Sequence, residues 1–224
     1  MLNRDGVEAI PSGRCDTATP QPYKWMDSTR MRGSTETTMD DLRMLVAYSS
    51  AHGSTAEIAR AIALTLRRTG IDTDVLPVAE VEQVSRYDGV VLGSAIYGGR
   101  WRQDALEFMN RFGPELRERD VWLFQSGPLG HSAQAIVRAL PVNVSLFSDY
   151  VGAKGHATFG GKLGERTGDP VAKFLARAGF SGDFRDFSEI RLWAEDVARG
   201  TAMHVVSARN VRAANRVARM VASR

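Results

Sequence analysis

Four hydroxyl side chains fall within seven residues, Ser49, Ser50, Ser54 and Thr55, around Ala51, His52 and Gly53. That spacing suits an anion. The apolar run Met44 to Tyr48 precedes it, and Ile58, Ile62 and Leu66, four apart, follow it as one helix face. The stretch therefore reads as strand, hydroxyl-rich loop, helix. The first N–H groups of a helix lack intrahelical partners and carry the positive end of its dipole. A phosphate dianion fits there, with the hydroxyls as further donors. An ordinary helix cap by Ser50 or Ser54 is the plainer reading, but a cap needs only one hydroxyl.

Two further stretches could complete a site. Ser94-Ala95-Ile96-Tyr97-Gly98-Gly99-Arg100-Trp101 follows an apolar run, Val90 to Leu92. Tyr97 offers a face for a flat ring, and Gly98 and Gly99 let main chain approach closely. Trp101 either packs on the same ring or anchors the next helix. Ser126-Gly127-Pro128-Leu129-Gly130 offers backbone N–H groups, or is simply a loop that turns on glycine. Nucleophilic chemistry is not indicated: Ser126 lacks the G-x-S-x-G elbow. The four histidines are scattered without metal-ligand spacing, so no metal site is expected. There is neither a G-x-x-x-x-G-K-[ST] loop nor a G-x-G-x-x-G turn. A triphosphate and a dinucleotide are thereby disfavoured.

These stretches need a scaffold that brings them to one edge. Ile71 to Leu76 alternates as an edge strand, after Thr69-Gly70 stops the first helix. Val90 to Ser94 and Val121 to Phe124 read as buried parallel strands, and His156 to Gly161 as the fifth strand. Helices are expected over Gln103 to Phe112, ended by Gly113-Pro114, and over Ser132 to Leu140, Asp169 to Ala178 and Asp186 to Arg199. Five strands alternating with helices imply a doubly wound parallel α/β sheet. Its ligand belongs at the carboxyl ends of the strands, near the switch point between the first and third.

Composition bounds the rest. The 224 residues suffice for one domain with tails. Residues 1–40, broken by Pro11, Pro20 and Pro22, read as a disordered leader, with Met39 and Met44 as internal candidate starts. The first thirty residues contain no signal-like apolar stretch. Cys15 is the only cysteine, which fits a reducing cytoplasm. Residues 42–200, within the expected domain 41–200, carry nineteen basic and nineteen acidic side chains, so no nucleic-acid-binding face is expected. Residues 201–224 carry five basic side chains and no acidic one. On a helix, Arg209, Arg212, Arg216 and Arg219 form one stripe, and Val206, Val211, Val217 and Val221 lie on another face. Such a tail suits the anionic inner face of a membrane, or packs on the domain.

Ser50-Ala51-His52-Gly53-Ser54-Thr55 resembles the phosphate loop of the flavodoxin-domain family, written T/S-x-T/S-G-x-T, with His52 at the middle hydroxyl position. Gly93 to Tyr97 and Gly155 to Gly161 look like the same family. Gly182-Asp183-Phe184-Arg185-Asp186-Phe187 is similar to a G-D-[FY]-R-D-[WF] signature of the branch that includes menaquinone-dependent protoporphyrinogen oxidases. The resemblance implies a five-stranded flavodoxin-like sheet of order 2-1-3-4-5, with FMN held by the three stretches above. It implies an oxidoreductase passing electrons from a small-molecule reductant to a quinone. A flavodoxin-type shuttle and a flavin-free interaction protein are the alternatives; the neutral core weighs against the shuttle, whose kind is usually acidic. Asp186 is expected to cap the last helix and Arg185 to sit in a local ion pair. Arg100 and Arg102 are the candidate contacts for substrate carboxylates.

Overall fold

The computed structural model describes residues 41–127, 139–163 and 182–222. The leader, Pro128 to Gly130 with nearly all of the helix expected after them, and the helix expected over Asp169 to Ala178 lie outside those residues.

Strand β1 (Arg43–Ser49) sits between β2 (Asp72–Pro77) and β3 (Gly89–Tyr97), and β5 (Asp120–Gly127) and β6 (Gly155–Gly160) follow β3. The order β2-β1-β3-β5-β6 is parallel throughout, with a two-residue strand β4 (Arg100–Trp101) added antiparallel to β3. Counting the five long strands alone, this is the expected 2-1-3-4-5 order of a flavodoxin-like α/β fold. The central strands run apolar through Met44 to Ala47, Val90 to Leu92 and Val121 to Phe124 because both faces are covered there. Leu45, Leu92 and Leu123 face helix α2 (Gln103–Leu116), where Ala105, Phe108 and Phe112 complete one core. Met44, Val46, Val91 and Phe124 face α1 (Ser54–Arg68) and α4 (Phe187–Ala222), where Ile58, Ile62, Ile190 and Val197 complete the other.

Several elements differ from expectation. β1 includes Ser49, β3 continues through Ser94 to Tyr97, and β5 through Gln125 to Gly127, so all three expected loops begin as strand. The sheet is long enough because Ser94 and Gln125 remain paired in register and buried. α2 passes through Gly113-Pro114 to Leu116, whose burial rewards the extra turn. α3 (Val142–Val151) was not foreseen. Its core face is only Val144, Phe147 and Val151, a sparse stripe in a segment rich in β-branched residues.

The last difference is at Gly200. α4 continues through this residue as one 36-residue helix. A Cβ there would come within 2.6 Å of the Trp122 ring, so glycine permits the close approach. Thr201 is fully buried and accepts a hydrogen bond from Trp122 Nε1 at 3.1 Å. Packing thus outlasts the expected division between domain and tail.

Candidate functional site

β1 delivers the hydroxyl-rich turn to the carboxyl edge of the sheet. Gly53 takes a left-handed conformation (φ 86°) at the head of α1, and its N–H donates to Ser50 Oγ at 3.0 Å. No side chain caps the helix. Ser50 therefore shapes the turn rather than closing the helix end, and the first-turn N–H groups remain available to a ligand. The Thr55 and Ser126 hydroxyls, both buried, lie 2.9 Å apart and tie the first stretch to the third. Ser54 Oγ accepts the Lys162 N–H at 3.0 Å.

These groups open on one cavity. Ser50, His52, Ser54 and Thr55 line one side of it, Ala95, Ile96 and Tyr97 the second, and Ser126, Gly127, Gly161 and Lys162 the third. Hydroxyl residues and Lys162 are among its lining, and no acidic residue is among the described ones. Tyr97 is 38% exposed at the lip, with the His52 ring edge-on to it at 6.2 Å. The residue that replaces the middle hydroxyl of the loop thus joins the aromatic wall.

Other expected residues stand behind the cavity. Gly98 and Gly99, with φ of 56° and 75°, make the two-residue turn between β3 and β4. That turn sets Arg100 opposite Tyr97 and Trp101 opposite Ile96. Trp101 is 3% exposed and donates from Nε1 to Gln125 Oε1 at 3.0 Å. It anchors the core and does not line the cavity. Ser49 and Ser94 are buried as well. Ser49 Oγ donates to Asp104 Oδ1 at 2.5 Å and accepts from Arg102 Nε at 2.8 Å, while Ser94 Oγ accepts the Arg102 N–H at 3.1 Å. Ser49, Ser94, Gln125 and Thr158 stand side by side in register, a polar row that stiffens the sheet edge. Ala51 is an exposed residue of the first loop.

Lys162 is not among the residues expected at the site, and Gly161 enters there only as the end of the expected fifth strand and of the family-like stretch. Their signal was position: they directly follow the fifth strand, at the edge where the ligand belongs. Lys162 and Leu163 form strand β7, which pairs with β8 (Gly182–Asp183) and so brings the late signature to the same edge. The Arg185 side chain, 4% exposed, reaches Asp183 Oδ2 and Glu57 Oε2 at 2.5 Å each. Its hydrogen bonds hold the Asp183 carboxyl below the usual range. Asp186 Oδ1 accepts the N–H groups of Ser188 and Glu189 at 2.8 and 3.2 Å, the expected cap of α4. The ion pair was expected to be local; its second partner, Glu57, is in the first turn of α1.

The arrangement can hold a phosphate ester at the head of α1 and a flat ring against Tyr97. The described residues contain no cluster able to hold a metal ion. A flavodoxin domain matches residues 45–177. Protoporphyrinogen IX dehydrogenase (quinone) of Escherichia coli strain K12 is 34% identical over 77 residues, which is 34% of this chain and 42% of that protein. The chain thus matches about two fifths of the length of the curated relatives it resembles. Rubredoxin oxygen:oxidoreductase from Desulfovibrio gigas shares the fold, with a TM-score of 0.51 at 13% identity over 73% of this chain and 37% of that one.

Proposed function

The chain belongs to the flavodoxin-domain family, and on that premise we propose that it is an FMN-dependent oxidoreductase passing electrons from a reduced small molecule to a quinone. The observation that carries this reading is the cavity itself: donors and an uncapped helix end on one side, Tyr97 on the other, and no carboxylate among its described lining residues. Ser54, Thr55 and the first turn of α1 hold the phosphate. Tyr97 and His52 screen the ring from water, and Ser126 and Gly127 form the facing wall. The redox chemistry is what the flavin supplies when bound. The chain contributes orientation and a dry wall.

The quinone acceptor is supported by the partial likeness to a quinone-dependent dehydrogenase and by the neutral core. The reductant meets Arg100. That side chain has no hydrogen-bond or ion-pair partner among the described residues and stands opposite Tyr97, so it suits a carboxylate-bearing substrate such as a porphyrinogen. Arg102 is committed to Ser49 and lies 3.4 Å from Asp104. No helix among the described residues is long and apolar enough to cross a membrane. The far end of α4 is therefore proposed as the contact with an anionic bilayer that holds the quinone. Arg216 and Arg219 are exposed there, as is Val211.

The test is cofactor binding. Purified protein should bind FMN at one site and release it on denaturation. A protein that FMN neither stabilises against heat nor quenches in titration would refute the reading.

A further inference from the structure

The cavity is lined by a lysine that makes no ion pair among the described residues. β6 ends at Gly160, and Gly161 N–H donates to Gly127 O at 2.5 Å. The next residue, Lys162, is held by its main chain to Ser54 Oγ, the first residue of α1, and lines the cavity with Ser54 and Thr55. No carboxylate lies within 4.0 Å of its ammonium among the described residues. The two acidic groups nearby, Glu57 and Asp183, are both paired to Arg185, and Asp183, opposite Lys162 in the β7–β8 ladder, feels the lysine charge only as a smaller pull. Those four side chains sum to zero charge, but Arg185 is buried in its pairs and Lys162 is not. An anion at the head of α1 would otherwise meet Glu57 in the first turn, where a free carboxylate would oppose it.

We propose that Lys162 is the counter-charge for the phosphate of the bound cofactor, with Arg185 acting as a positioning residue that neutralises Glu57 and docks the β7–β8 pair against the loop. This rests on the FMN reading above. The site then selects a phosphate monoester over the uncharged flavin, through one charge-assisted contact added to the helix end.

The experiment compares FMN with riboflavin, which lacks the phosphate, by fluorescence titration of wild type, Lys162→Gln and Lys162→Arg at low and high salt. FMN affinity should fall about tenfold in Lys162→Gln, as expected for losing one partly solvated charge contact. It should be kept in Lys162→Arg, and the fall should shrink at high salt. Riboflavin affinity should be the same in all three. Unchanged FMN affinity in Lys162→Gln with FMN bound by wild type overturns this proposal and leaves the FMN reading standing. Equal losses for FMN and riboflavin also overturn it, because they mark a folding role. Wild type that binds neither flavin overturns both.

Discussion

At the scale of single residues, the carboxyl group that most clearly departs upward from ordinary behaviour lies at the other end of the sheet. Asp120 opens β5, and its side chain is 11% exposed. Burial pushes its carboxyl above the ordinary 3.8, against the pull of His204 and Lys154, which approach to 3.5 and 3.8 Å. The folded protein therefore holds this proton at pH values where the unfolded chain has lost it. The stability this group contributes is full below 3.8 and falls as pH rises through the raised value. Asp120→Asn lacks that decline. Its stability relative to wild type, read from urea midpoints, should improve from about pH 4 to about pH 7; a worsening would contradict the assignment. Asp183 shows the opposite sign. Hydrogen bonds from Arg185 lower its carboxyl, so its contribution is present above 3.8 and is lost as pH falls through the lowered value.

At the scale of elements, α4 changes character along its length. Ile190, Ala194 and Val197 pack beneath the sheet, and Trp193 meets Phe159 edge-on at 5.7 Å. Thr201, Ala202 and Val205 extend that packing by a further turn and more. Beyond them, every side chain described from Ser207 onward is exposed. Cutting the chain after Gly200 removes Thr201, the acceptor of the half-buried Trp122 indole, and the packing of Ala202 and Val205, at a cost of about 1 kcal/mol for the hydrogen bond and more for the packing. At about 2–4 °C per kcal/mol for a domain of this size, the thermal midpoint drops by several degrees. Cutting after Ser207 should leave the midpoint unchanged. Both truncations should abolish salt-sensitive binding to anionic vesicles, since each arginine near such a surface adds about 1 kcal/mol. Equal vesicle binding by full-length and truncated protein at low salt would refute the membrane role.

At the scale of the whole molecule, the question is turnover or exchange. With nineteen charges of each sign, residues 42–200 carry no net charge to steer a redox protein partner. An enzyme should accumulate reduced quinone when a porphyrinogen or another hydride donor is supplied with a menaquinone analogue. Arg100→Gln should raise KM for a carboxylate-bearing donor by about tenfold and leave an uncharged donor unaffected. Stoichiometric one-electron exchange with a redox protein, and no quinone turnover, would favour the shuttle.

The alternation of strands and helices and the edge on which the cavity opens were legible in the residues, and the strand order in the family resemblance. The alternation follows from local periods and the edge from a steric rule for crossovers, and both act on neighbours in sequence. So was the cap at Asp186, which involves residues two and three positions away. Other features depended on partners that no local pattern names. Tyr97 and Trp101 are aromatic residues on either side of one glycine turn. Which of them goes inside was decided by Gln125, on another strand, which accepts from the indole. The reach of Arg185 to Glu57 spans 128 positions, and that of Lys162 to Ser54 spans 108. Hydrophobic periodicity reports which face of an element is buried. It is silent on which distant polar group stands opposite, because that depends on how whole elements dock, and docking belongs to the tertiary structure alone.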